Sequence, residues 1–278
     1  MKYWIKWCVL AFGVVCLISM TLCGCGKKQA EEAVPQPELV IGSDDYEPYN
    51  YQNENGDYAG VDVELAKEAC RRIGYTPVFK QIQWDDKDIY LENGEVDCAW
   101  GSFSMDGRED DYIWVGPYMY SREVVMVRTD SDIYKLDDLA GKNVAVQSST
   151  QPERIFLGQG YDIIPKVKNV YSFVEMNELF AALRKGYVDA CAGHEIVMRE
   201  YLRQSGQKYR ILDEEIIDSK LGVAFSKIKT PRRQNSFVRR WRRCLKTERF
   251  SVFWKNMGWK TGWQQGGLHH EKIQDSLK

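Results

Sequence analysis

Arg108, at the end of the run Ser102-Phe-Ser-Met-Asp-Gly-Arg108, is the residue best suited to hold a carboxylate. A planar guanidinium offers paired N–H donors that a lysine ammonium cannot match. Its alternative use is a surface ion pair with Glu109 or Asp110. Gly101, Ser102 and Ser104 follow the apolar run 96–100, at a strand end, where α/β sheets bind ligands. Their hydroxyls and N–H groups can satisfy a buried carboxylate or amine, or they can form an ordinary serine-rich turn. Ser149 and Thr150 precede Pro152 and a helical stretch, and simple N-capping would account for them. His194 and Glu195 adjoin, and either could act as a general acid or base. Otherwise the material for catalysis is thin. The chain has 3 histidines, His194, His269 and His270, too few to suggest a zinc site or a histidine-based triad. Cys70, Cys98, Cys191 and Cys244 are scattered without C-x-x-C spacing, and the first three read as small buried residues. No catalytic residue, metal or cofactor is expected.

The elements that must position these groups alternate between strand and helix. Residues 39–43 read as a strand, and 61–73 as a helix with Leu65, Ala66, Ala69 and Ile73 on one face and Gly74 as its stop. Strands follow at 76–82 and 96–100, around a helix at 85–92 closed by Gly94. A second run places a short helix at 136–139, strands at 143–147, 163–167 and 188–191, and helices at 152–157, 175–184 and 194–203. Such alternation predicts parallel sheets covered on both faces. The extended segments 123–128 and 221–225 read as links between two lobes. Lobe one is expected over 38–125 and 221–278, and lobe two over 126–220, each with its own sheet.

The N-terminus reads as an export signal. Lys2 and Lys6 precede a 16-residue apolar stretch, residues 7–22, too short for a comfortable membrane span. It ends in Leu22-Cys-Gly-Cys25, which resembles a lipobox and makes Cys25 the expected site of lipid attachment, with Cys23 the less suitable acceptor. Residues 26–37 are polar, contain two prolines, and read as a flexible linker. The net charge of −2 gives no whole-chain argument for nucleic acid.

Several motifs, in order, resemble the family-3 bacterial extracellular solute-binding proteins, which serve polar amino-acid ABC importers. They are Asp45-Tyr-Glu-Pro-Tyr49, Gly60-Val-Asp-Val-Glu-Leu65, Gly94-Glu-Val-Asp97, the Ser102 to Arg108 run and Gly116-Pro-Tyr118. The second half adds Asp138-Leu-Ala-Gly-Lys142, Val146-Gln-Ser-Ser-Thr150 and Leu183-Arg-Lys-Gly-Tyr-Val-Asp-Ala190. The resemblance implies a two-lobed, periplasmic-binding-protein-like type II α/β fold with a hinge, closing on its ligand. It implies a monomer that partners an ABC transporter permease, and a small-molecule ligand that is an amino acid or related carboxylate. Arg108 would grip the α-carboxylate, and Thr150 would cap a helix and donate to the same group. Tyr46 and Trp84 would sandwich the ligand side chain. Either Asp44 or Asp45 could meet a cationic side chain, and Asp62 reads as a helix-start residue. One position departs from the pattern. Where amino-acid binders of the family carry an Asp for the α-ammonium, this chain has His194, with Glu195 next. A neutral imidazole brings no negative charge. Glu195 takes the role, or the amine is held more weakly, or the ligand is not a standard α-amino acid. A ligand-sensing receptor subunit, or a dehydratase-like or lytic-transglycosylase-like enzyme on the same scaffold, is the alternative function.

The C-terminal region is compositionally foreign. Residues 227–260 hold 12 Lys or Arg and a single acid, Glu248. Reading the codons of this region one base back permits an amphipathic helix, a Lys-Asp-Gly turn and a second short helix, which resembles the closing segment of the family. A frame shift near Ile228 is therefore expected, and sequencing the gene across codons 225–268 tests it. In the frame as given, the tail is expected to leave lobe one exposed.

Overall fold

The computed structural model of the chain describes residues 35–159, 162–206, 208–228 and 232–245. The signal, the Cys25 site, most of the linker and the tail beyond residue 245 lie outside them. The strands are β1 (Glu38–Ser43), β2 (Tyr51–Gln52), β3 (Tyr58–Ala59), β4 (Thr76–Gln81), β5 (Cys98–Ala99), β6 (Ile113–Arg128), β7 (Asn143–Gln147), β8 (Asn169–Phe173), β9 (Ala190–His194) and β10 (Tyr209–Phe225). The helices are α1 (Val61–Ile73), α2 (Lys87–Asn93), α3 (Gln151–Phe156), α4 (Met176–Lys185), α5 (Glu195–Ser205) and α6 (Arg232–Leu245), with 3-10 turns at Trp84–Asp86 and Leu136–Leu139.

Eight strands form one ladder in the order β4-β1-β5-β10-β6-β9-β7-β8, and β2 and β3 form a separate hairpin. Where the sequence reading gives each lobe its own sheet, the hydrogen bonding is continuous. The cause is the length of β6 and β10, which pair antiparallel from Tyr209↔Arg128 to Phe225↔Ile113. Parallel strands β4, β1 and β5 join one end of this pair through Ala224↔Ala99, and parallel strands β9, β7 and β8 join the other from Glu123↔His194 to Val127↔Ala190. The sequence reading recovered only the 123–128 and 221–225 ends of these two strands. Most of β6 is buried, which removes the apolar–polar alternation that reveals a half-exposed strand.

Helices cover both faces of the ladder. α1 buries Leu65, Ala66, Ala69 and Ile73 as its spacing requires, and Gly74 ends it in the left-handed region at φ 75°. α4 buries Leu179, Phe180 and Leu183, and Gly186 ends it likewise. The strand expected at 163–167 is absent. Pro165 interrupts that run and has no N–H for a ladder, so the strand forms later, with Asn169 opposite Asn143. Ile164 and Val167 pack instead as partly buried side chains. β9 begins at Ala190 rather than 188, because Asp189 spends its carboxylate and its N–H on the backbone of Asn143.

The basic C-terminal segment does not leave the first half uncovered over its described part. α6 turns Phe237, Val238 and Trp241 inward, and all three are buried. Trp241 lies 5.8 Å from the Trp100 ring, and Phe237 packs edge-on against Tyr75 at 5.3 Å. Arg240 donates to the Ile73 carbonyl at the end of α1, and Arg242 to the Trp114 carbonyl. The second short helix read in the shifted frame lies outside the described residues.

Candidate functional site

The carboxyl ends of β1, β5, β7 and β9 open onto one cavity. Asp44 and Tyr46 follow β1, Gly101 to Ser104 follow β5, Ser149 and Thr150 follow β7, and His194 ends β9. Trp84 starts the turn after β4, Arg108 comes from the loop between β5 and β6, and Glu123 comes from the middle of β6. The cavity is nearly closed, with about 30 Å³ of room for water-sized molecules.

The structure brings Tyr46, Trp84, Gly101, Ser102, Ser104, Arg108, Ser149, Thr150 and His194 to this one wall. Arg108 is buried. It donates to the carbonyls of Ser104 (3.3 Å) and Ser149 (3.1 Å) and to the amide oxygen of Gln151 (3.4 Å), with its guanidinium 5.3 Å from the Phe103 ring. The surface pairing with Glu109 or Asp110 is therefore not its use. Ser102 and Ser149 have φ of 44° and 59°, and they are the non-glycine residues with positive φ among those described. Both face the cavity, one from each end of the ladder. Such backbone is costly and is held where the site needs it. Asp62 fixes the first of these loops: it accepts from the Ser102 N–H at 2.6 Å and from the Tyr118 hydroxyl at 2.8 Å. It is a helix-start residue that also braces the site.

Two expectations are corrected and one open alternative is narrowed. Glu195 does not line the cavity. Its carboxylate is buried against Arg122 at 3.1 Å and Arg199 at 2.5 Å, so its charge is already taken. Thr150 stands at the N-cap of α3 but makes no cap bond, because its hydroxyl donates back to the Gln147 carbonyl at 2.6 Å. Asp44, not Asp45, reaches the cavity, where it accepts from Gln147 Nε2 at 2.7 Å.

Glu123, Gln147, Gln151 and Phe103 also line the cavity and were not singled out from the sequence. The one available signal was Glu123 itself, an acid at the head of the apolar run Val124 to Val127.

Burial sets the protonation of these groups. It pushes Asp44 up to about 6, Asp62 up to about 7 and Glu123 up to about 8, and it pushes His194 down to about 4. The ordinary values are 3.8 for the aspartates, 4.5 for Glu123 and 6.5 for His194. From about pH 6.5 to pH 8 the folded chain thus holds more protons than the unfolded chain, through Glu123 and Asp62. Stability must fall as pH rises through that window. His194 works in the opposite direction, but only between about pH 4 and 6.5. The Tm of the ligand-free chain is expected to decline from pH 6.5 to pH 8.5, and Glu123→Gln is expected to flatten the decline. A wild-type Tm that stays level or rises over this range would contradict the assigned protonation states.

Known proteins resemble the chain in sequence and in fold. A family model described as bacterial extracellular solute-binding proteins, family 3, matches residues 39–152. The L-cystine-binding protein TcyA of Bacillus subtilis (strain 168) is 26% identical over 211 residues, covering 71% of this chain and 76% of the relative. The histidine-binding periplasmic protein of Escherichia coli (strain K12) is 28% identical over 213 residues, covering 75% and 80%. The crystal structure of Tv2483 bound to L-arginine superposes with a TM-score of 0.66 at 27% identity, covering 75% of this chain and 83% of that one. The order of motifs, the α/β ladder and the strand-end cavity accord with that match: residues 39–152 are similar to family 3 of the bacterial extracellular solute-binding proteins.

Proposed function

We propose that this chain captures a small carboxylate-bearing solute, an amino acid, outside the cytoplasm and delivers it to an ABC importer. The observation that carries the reading is Arg108, a buried guanidinium on the cavity wall, with Ser102, Ser104 and Ser149 lining the same cavity. A buried cation of this geometry is suited to an incoming carboxylate. The relatives named above bind cystine and histidine, and the structural neighbour holds arginine. In this reading residues 38–125 with the chain after 221 form one lobe, and 126–220 the other. The lobes bend about β6 and β10, near the irregular register between Leu221 and Val223. Contacts across the cavity hold the closed form: Gln147 to Asp44, Arg108 to Ser149, and Arg154 to the Gly107 carbonyl at 2.9 Å. The protein works as a monomer tethered to the membrane by lipid on Cys25. A thermal-shift screen over the L-amino acids tests the function, because a ligand that binds only the folded state raises its stability. One or a few amino acids should raise Tm by several degrees at millimolar concentration, and a panel without any shift would count against the reading.

A second reading rests on Glu123. A buried carboxyl that stays protonated at neutral pH is suited to act as a general acid. An enzyme would convert the retained solute, whereas a binding protein returns it unchanged, and mass spectrometry of the recovered solute separates the two.

A further inference from the structure

Glu123 is 1% exposed, and its surroundings leave it incompletely satisfied. Its Oε1 accepts from Ser219 Oγ at 3.2 Å, while Oε2 has no hydrogen-bond partner among the described residues. It stands directly opposite His194 in the β6–β9 pairing, and His194 Nδ1 comes within 3.0 Å of Oε1 without an aligned hydrogen bond. The other ring nitrogen, Nε2, faces the Ser102 carbonyl at 3.1 Å. A carbonyl only accepts, so Nε2 carries the proton, and in the neutral ring Nδ1 is an acceptor. Glu123 Oε2 and His194 Nδ1, both buried beside the cavity, therefore lack an aligned hydrogen-bond partner. Leaving such groups unmatched is costly. An ammonium group matches them, because it brings three donors and a positive charge.

We infer that Glu123, together with Nδ1 of His194, takes the protonated amine of the solute. The inference rests on the reading of this cavity as a solute-binding site and narrows the solute to an amine-bearing carboxylate, with Arg108 at the carboxylate. It supplies the negative charge that position 194 lacks and that Glu195, held by Arg122 and Arg199, does not provide.

Proton release follows from this arrangement. Around the pair stand Tyr46 and Tyr49 from the loop after β1, whose rings lie 6.0 Å and 5.6 Å from His194. Asp44 comes from the same loop, Asp62 from α1, Asp106 and Arg108 from the loop before β6, and Ser219 from β10. Without solute, Glu123 sits at about 8 through burial and holds its proton near neutral pH. An ammonium at Oε2 favours the ionised form, so Glu123 gives one proton to solvent as the charged pair forms. Asp44, at about 6, is already ionised at pH 7.5 and adds little to that count. Asp62 keeps its bonds to Ser102 and Tyr118 and does not line the cavity. Affinity should rise with pH between 6 and 8, by up to about tenfold per unit.

The test uses the full chain, stripped of ligand, and the tightest binder from a panel of the standard L-amino acids and L-cystine. Calorimetry at pH 7.5 in phosphate and in Tris, which differ in ionisation enthalpy, gives the protons released on binding. The expected release is roughly 0.5 to 1 proton in wild type, and near zero in Glu123→Gln. Glu123→Gln should bind at least about thirtyfold more weakly at pH 8. Wild-type release near zero needs no variant to fold and would overturn the inference. So would affinity of folded Glu123→Gln within threefold of wild type, which leaves the solute-binding reading standing. If no member of the panel binds, the solute-binding reading itself fails.

Discussion

Arg108→Ala is expected to abolish measurable binding of a carboxylate solute, and Arg108→Lys to restore only part of it. Arg108 is buried, and it donates to the carbonyls of Ser104 and Ser149 and to the amide oxygen of Gln151. A solute carboxylate can accept two parallel bonds from its planar donors. Removing one member of a desolvated charged pair costs about 2–5 kcal/mol, a loss of roughly thirtyfold to several thousandfold. Lysine keeps the charge but not the paired planar donors, so it cannot replace both hydrogen bonds. Calorimetry of the folded variants reads the effect. Affinity of Arg108→Ala within threefold of wild type would remove Arg108 from the site.

Trp241→Ala is expected to destabilise the chain by about 3–5 kcal/mol, the range for truncating a large buried aromatic. Trp241 is fully buried, packs on Trp100, and belongs to the same core cluster as Tyr118 and Phe237. Nothing nearby can collapse into the space without pulling α6 from α1. Thermal unfolding should show Tm lowered by about 10 °C. A change under about 1 kcal/mol would mean that α6 contributes little to the core and that the segment in this frame is an appendage.

Much of the site was legible because its residues occupy strand ends, and strand ends are marked by local sequence. Ser102 to Arg108 follows an apolar run and carries glycine and serines, so both the loop and its chemistry could be read together. The helices were legible from spacing and from their terminating glycines, Gly74, Gly94 and Gly186, all left-handed in the structure. The long strands were not, because burial on both faces leaves no alternation to read in β6. Glu123 heads the part of β6 that is legible, but only the cross-strand register brings it to His194. Glu195 adjoins His194 in sequence but not in the cavity. At the start of α5 it points to Arg122 and Arg199 instead.

The central claim, that this cavity binds one amino acid reversibly, is tested most directly by calorimetric titration of the ligand-stripped chain at pH 8 with the amino acid that gives the largest thermal shift. The account predicts saturable heat at one solute per chain, with the solute recovered unchanged. Absence of heat across the amino-acid panel, or recovery of a converted product, would contradict it.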